Sequence, residues 1–136
     1  MKVKYLDLKN KRVFISGGGS GIGASMVEHF CEQNSEVYFI DIDAKSSKKL
    51  IENIKKKKLR TPNFIECNIL DIKKLQNIIK KIISDKGPIH CLVNSAANDD
   101  RHTTEQVDEK YWDNRMAINL KHYFFAAQSV VKGMKK

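Results

Sequence analysis

Apolar positions along this 136-residue chain follow two alternating spacings. Short, nearly unbroken apolar runs occur at Arg12–Ser16 (RVFIS), Val37–Ile40 (VYFI), Asn63–Cys67 after Pro62, and Ile89–Val93 (IHCLV). Runs of this length, rich in β-branched and aromatic residues and bounded by turn formers, predict strands. Between them the period lengthens to that of a helix. Ile22, Met26, Val27 and Phe30 mark one helix, closing near Asn34. A thin stripe of Leu50, Ile51 and Ile54 marks a lysine-rich second over Lys45–Lys58. Asp71 is placed to cap a third, with Ile72, Leu75, Ile78, Ile79, Ile82 and Ile83 on its apolar side and Gly87-Pro88 as its stop. After a polar loop, Asn98–Gln106, Asp108 is placed to cap a long helix. It carries Trp112, Met116, Leu120, Tyr123, Phe124, Ala127, Val130 and Val131 on one side.

The element order is therefore βαβαβαβα. Strands that are apolar on both faces predict a parallel sheet covered by helices on both sides. The expectation is an α/β, doubly wound parallel sheet of four strands in the order 3-2-1-4, in one domain over residues 1–136. No linker, internal repeat or low-complexity stretch interrupts it.

Composition narrows the class. Hydrophobic residues make up 41% and charged residues 30%, and no apolar run approaches the ~18 residues of a membrane span. The N-terminal MKVKYLDLKN has no apolar core of a secretory signal, so a cytoplasmic location is expected, with no membrane partner. Cys31, Cys67 and Cys91 are far apart, and neither they nor the histidines have metal-ligand spacing, so no metal site is expected. The net charge of +9 raises the question of nucleic acid. The lysines are scattered over predicted helix faces with no aromatics between them, which reads as solvated surface; no nucleic-acid partner is expected.

Five of the seven glycines fall in Ser16–Gly23, SGGGSGIG, between the first strand and the first helix. In a doubly wound sheet this junction is where a phosphate binds. A backbone without side chains admits a pyrophosphate, and the helix N-terminus offers it free N–H groups. The Gly-Lys-Ser/Thr of a P-loop is absent, while Gly19-x-Gly21-x-x-Ala24 fits the looser dinucleotide pattern. Asp41 closes the second strand about 20 residues after Gly21, where an acidic side chain accepts from the adenosine ribose hydroxyls. Its charge repels a 2′-phosphate, and no Arg or Lys in the glycine loop or directly after Asp41 offsets it, so NAD is expected over NADP. Asp43 is the alternative if the register shifts by two.

These residues resemble the short-chain dehydrogenase/reductase family. Gly17-x-x-x-Gly21-Ile22-Gly23 matches its glycine motif, Asn94-Ser95-Ala96-Ala97 is similar to its Asn-Asn-Ala-Gly motif, and Asn119 stands where its helix asparagine belongs. The likeness runs over the whole chain but corresponds to the N-terminal half of a typical member. It implies that Gly17, Ser20, Gly21 and Ile22 line the pyrophosphate, and that Asp41 holds the ribose with Ile42 beside the adenine. Asn68 would face the adenine amino group where the family usually has aspartate, and Ile69 would pack on the ring. Asn94 would brace the central strands and Ala96 would present its backbone to the cofactor. Asn119 would serve the catalytic relay, its backbone carbonyl holding a water. Ser95 and Ala97 depart from the family's Asn and Gly. The stretch from Asn94 to Met134 looks closest to bacterial sugar dehydrogenases of the family, which points to a small alcohol or carbonyl substrate, a sugar or polyol among them. Members are usually dimers or tetramers, so a homo-oligomer is expected of the full-length protein.

The family's chemistry also needs a serine and a Tyr-x-x-x-Lys. A tyrosine exchanges the hydroxyl proton, and the lysine lowers its pKa. Tyr5 with Lys9 has the spacing but precedes the first strand; Tyr38, Tyr111 and Tyr123 are followed at the fourth position by Ile42, Arg115 and Ala127. The expectation is a domain truncated before a fifth strand, inactive as a dehydrogenase on its own and prone to self-association. A dinucleotide-binding module without chemistry is the alternative.

Overall fold

The computed structural model describes residues 3–135. Met1, Lys2 and Lys136, the ends of the predicted domain, lie outside the described residues.

Four strands form one parallel sheet: β1 (Arg12–Ser16), β2 (Glu36–Asp41), β3 (Asn63–Glu66) and β4 (Cys91–Asn94). Their order is β3-β2-β1-β4, as the pattern predicts, with Phe14 opposite Tyr38 and Leu92 in register. Side-chain alternation divides the core in two. Val13, Ile15, Val37 and Phe39 point to one face, where α1 (Gly21–Glu32) and α2 (Ala44–Lys56) cover them with Val27, Cys31 and Ile54. Phe14, Tyr38 and Ile40 point to the other, against Leu75, Ile79 and Ile82 of α3 (Ile72–Lys86) and Ala126 and Val130 of α5 (His122–Met134).

The predicted caps form as expected. The Asp71 carboxylate accepts from the Lys74 N–H at 2.9 Å, and the Asp108 carboxylate from the Tyr111 N–H at 2.7 Å, each meeting a helix-start donor that has no partner within the helix. Asp43 caps α2 in the same way, through the Ser46 N–H.

Three expectations change. The fourth strand runs Cys91–Asn94 rather than Ile89–Val93, because pairing with β1 begins at Val13 opposite Cys91. His90 just outside it bonds Arg12 twice: its N–H donates to the Arg12 carbonyl, and its ring Nδ1 accepts the Arg12 N–H at 2.9 Å. The last helix is not uniform: α4 (Glu109–Met116) passes through one π-helical turn, Ala117–Lys121, into α5. Its core-facing side is His122, Ala126 and Val130, whereas Trp112, Met116, Leu120, Phe124 and Val131 of the predicted stripe are exposed. Likewise α1 buries Gly23, Val27 and Cys31 and leaves Ile22 at the surface.

No helix among the described residues is long and apolar enough to cross a membrane. No group of three or more His, Cys, Asp or Glu among them is placed to hold a metal ion.

Candidate functional site

All four strands present their C-terminal ends to one edge of the sheet, and a cleft of ≈650 Å³ runs along that edge. Gly17, Ser20, Gly21, Ile22, Asp41, Ile42, Asn68, Ile69 and Ala96, all predicted from sequence, line it. Asn94 and Asn119 are not among the lining residues; Asn119 bonds the lining residue Asn98, and Asn94 bonds the Tyr123 carbonyl behind the cleft.

The glycine loop sits at the centre of the cleft. The Gly17 and Gly18 N–H groups both donate to the Ile40 carbonyl, at 2.8 and 3.1 Å, which ties the loop to the end of β2. Gly23 packs so closely beneath that any Cβ there would overlap the Gly17 carbonyl. At Gly21 the situation is reversed: an added Cβ would meet nothing within 4 Å, because that position faces open cleft. Ser20 is the N-cap of α1 by backbone geometry, yet its side chain makes no capping bond. The first N–H groups of α1 thus remain free at the positive end of the helix dipole, suited to an anion.

Asp41 ends β2 beside this loop. Its Oδ2 accepts the Gly19 N–H at 2.8 Å and its Oδ1 the Asp43 N–H at 2.9 Å. The carboxylate is therefore held in place by backbone donors, and each oxygen keeps a lone pair for a hydroxyl. Asp43, the alternative acidic residue, spends its carboxylate as the cap of α2.

On the far side of the glycine loop the chain leaves β4 through Ser95, Ala96 and Ala97. The Ser16 hydroxyl accepts from the Ser95 and Ala96 N–H groups at 3.2 and 3.3 Å. The Ala96 carbonyl accepts from the Tyr123 hydroxyl at 3.0 Å and lies 3.1 Å from His122 Nε2. Burial lowers the pKa of His122, against the opposing pull of the Ala96 and Ile118 carbonyls, so the ring is held neutral with Nε2 donating. Asn94 donates to the Tyr123 carbonyl at 3.4 Å, bracing β4 against the last helix. Asn119, in the π-helical turn, clamps Asn98 at the cleft mouth. Its Oδ1 accepts the Asn98 N–H and its Nδ2 donates to the Asn98 carbonyl, both at 2.9 Å.

Sequence reasoning missed Ser16, His122 and Tyr123 as the support behind Ala96. A signal existed for two of them. Ser16 is a polar residue, fully buried, at the end of an apolar strand, and His122 stands four residues before Ala126 and eight before Val130, on the side that faces the core.

The model of the family described as short chain dehydrogenase matches residues 11–136 of this sequence. The chain belongs to the short-chain dehydrogenase family. Among its relatives, the probable galactose dehydrogenase of Rhizobium meliloti is 37% identical over 98% of this chain and 52% of its own length. The D-xylose 1-dehydrogenase of Caulobacter vibrioides is 40% identical over 97% of this chain and 51% of its own. The ligand-free aldohexose dehydrogenase of Thermoplasma acidophilum superposes with a TM-score of 0.78 at 25% identity, covering 96% of this chain and 46% of that one. The chain thus spans about half the length of the relatives it matches. In this short-chain dehydrogenase chain, that half is the sheet, the glycine loop and the cleft just described.

Proposed function

We propose that the chain carries the cofactor-binding part of an NAD-dependent oxidoreductase. Its reaction is hydride transfer between NAD and an alcohol or carbonyl, with a sugar as the substrate class. The observation that carries this reading is the anchoring of Asp41. An acidic side chain fixed by the Gly19 and Asp43 N–H groups at the end of β2, beside a glycine loop and a free helix N-terminus, suits the ribose diol and the diphosphate of a dinucleotide.

The residues fit such a group on structural grounds: the open space at Gly21 leaves room for a pyrophosphate that any larger loop residue would crowd. Ser20, Gly21 and Ile22 would contact it through backbone and hydroxyl, Asp41 the ribose, and Ile42 and Ile69 the base. Ala96, locked from behind by Ser16, His122 and Tyr123, would border the nicotinamide end. A nicotinamide bound there supplies the hydride acceptor. Asn119 lies in a π-helical turn, a feature common at functional sites, and its backbone carbonyl would hold the relay water. The sugar reading is supported by the named activities of the relatives and by the polar residues Asn98 and Asp99 at the cleft mouth. No tyrosine of these 136 residues combines the family's lysine spacing with a place at the cleft, so these residues alone bind cofactor without turning it over. The full-length protein is expected to act in the cytoplasm as a homo-oligomer.

Calorimetric titration of the chain with NAD, NADP and a short nucleic acid duplex tests the reading. Binding of NAD with NADP at least about tenfold weaker supports it, since Asp41 faces the 2′-phosphate. NADP binding as tightly as NAD overturns the cofactor choice, and binding of the duplex alone overturns the whole.

A further inference from the structure

A parallel sheet gathers chain ends of one kind at each edge. The cleft takes the C-terminal ends of the strands; the opposite edge takes their N-terminal ends together with the C-termini of the helices. Lysine at a helix C-terminus complements the helix dipole, so each helix that ends here adds to one basic surface. α2 ends in the lysines at 55–58 and α3 in Lys86. α5 brings Lys132 and Lys135 to the same edge, its Gly133 packed against Pro88. Two arginines tie this edge together. The Arg12 guanidinium donates to the Pro88 carbonyl at 2.6 Å, and that of Arg60 to the Asn10 side chain at 2.9 Å and the Asn34 carbonyl at 3.0 Å. Carboxylates here are spent on pairs, Glu36 with Arg12, Glu28 with Lys57 and Asp85 with Lys81. The positive field reaches His90, whose pKa is lowered by burial and then by Arg12 and Lys11.

The arm that precedes β1 lies across this edge and is fastened to it. The Tyr5 N–H donates to Gln33 Oε1 at 2.8 Å, Gln33 Nε2 donates to the Val3 carbonyl at 3.2 Å, and the Ser35 hydroxyl donates to the Leu8 carbonyl at 2.8 Å. Held this way, a 3-10 turn over Leu6–Leu8 lifts apolar side chains into solvent. Leu6 is 82% exposed, and Val3 and Tyr5 are each more than half exposed. Lys4, Lys9 and Lys11 stand exposed among them, beside Asp7. Behind Tyr5 an apolar groove of ≈360 Å³ opens between the arm and α1, lined in part by Leu8, Met26 and Phe30. A nucleic-acid backbone would satisfy the lysines but gives Val3 and Leu6 nothing to bury against. An anionic bilayer answers both, with charged head groups over an apolar layer.

We propose that this edge, with Leu6 and the lysines around it, is a docking surface for an anionic lipid bilayer, and that the cofactor cleft faces away from the membrane when it docks. Docking on a surface needs no crossing helix. The lysines meet the head groups while Val3, Tyr5 and Leu6 sink to the boundary with the acyl chains, Tyr5 keeping its hydroxyl at the wet side. The attraction is greatest at the cytoplasmic leaflet, which carries the anionic lipids, and it is screened by salt.

The test is flotation of the chain with two kinds of vesicle, phosphatidylcholine alone and phosphatidylcholine with phosphatidylserine, at low and at high salt. The chain should bind the anionic vesicles at least about tenfold more tightly than the neutral ones and lose that preference at high salt. Leu6→Ser, at a side chain too exposed to support the fold, should weaken binding by about tenfold, and Lys9→Glu with Lys56→Glu by more. Matching melting temperatures verify that both variants fold. Equal binding to the two vesicles, binding to neither, or anionic binding that Leu6→Ser leaves unchanged overturns the inference. A short nucleic acid duplex that binds while the anionic vesicles do not assigns the edge to nucleic acid and overturns it as well.

Discussion

The backbone of Ala96 occupies the space that a side chain on Gly17 would need: an added Cβ would come within 2.6 Å of the Ala96 Cα and 2.7 Å of its nitrogen. Gly17 also has a φ of +70°, in the left-handed region. The two loops that form the middle of the cleft are thus packed backbone to backbone, with no flexible side chain between them to give way. Gly17→Ala should destabilise the chain by about 2 kcal/mol or more, combining backbone strain with overpacking. Urea unfolding with an unchanged midpoint would show that the loops are not in contact.

Asp41 is positioned by two backbone donors and supplies the charge that selects the cofactor. Asp41→Asn keeps an acceptor for one of those donors and removes the charge. NAD affinity should fall by about tenfold, in keeping with the loss of charge-assisted bonds, while NADP affinity should fall less or rise. Parallel titrations with both cofactors read this directly; an unchanged ratio would mean that Asp41 does not face the ribose.

Asn119 holds both polar groups of the half-buried Asn98 backbone. Asn119→Ala releases them and should cost about 1–3 kcal/mol locally. Because Arg101 follows in the exposed loop, trypsin should cut there faster in the variant, and amide exchange at Asn98 should accelerate. Equal cleavage rates would count against a clamp.

Burial lowers the pKa of His122, and burial together with Arg12 and Lys11 lowers that of His90, where only Glu36 opposes. In the unfolded chain both rings return toward the ordinary value of 6.5. Above that value neither state binds the proton and the full stability is present. As pH falls through it, the unfolded chain takes up protons that the folded chain refuses, so stability declines until the folded-state values are passed. Denaturant midpoints should therefore fall between about pH 7.5 and pH 5.5, and His122→Gln, which keeps a donor for the Ala96 carbonyl, should flatten the slope. An identical slope in the variant would mean that His122 is not held neutral.

Trp112, Leu120 and Phe124 are each more than half exposed along one side of the last helix, and β4 is an edge of the sheet among the described residues. A contiguous apolar side next to an unpaired edge favours association. The chain should elute from size-exclusion chromatography above its monomer mass, and Leu120→Glu with Phe124→Glu should move it back. A clean monomer for the unmodified chain would refute this.

Much of the site was legible in the sequence because its signals are local. A strand that ends in glycine and restarts as a helix announces the phosphate loop. An aspartate closing the next strand follows from the same unit, and caps such as Asp71 and Asp108 act within three residues of themselves. The supports behind the cleft are not of this kind. Ser16 meets Ala96, 80 positions later, only once β1 and β4 lie side by side, and no periodicity encodes that meeting.

Apolar spacing by itself determined the order of elements, the parallel sheet and the line of residues along its edge, because period 2 and period 3.6 are written into consecutive residues. Tertiary structure alone decided which side of the last helix turns inward. Two stripes on that helix are apolar, but only the one holding His122, Ala126 and Val130 packs against α3 and the sheet, and the choice is made by shape across the contact. The start of β4 at Cys91 was settled in the same way. Ile89 is as apolar as any strand residue, but a strand needs a partner, and on this side β1 pairs with β4 only from Val13 opposite Cys91.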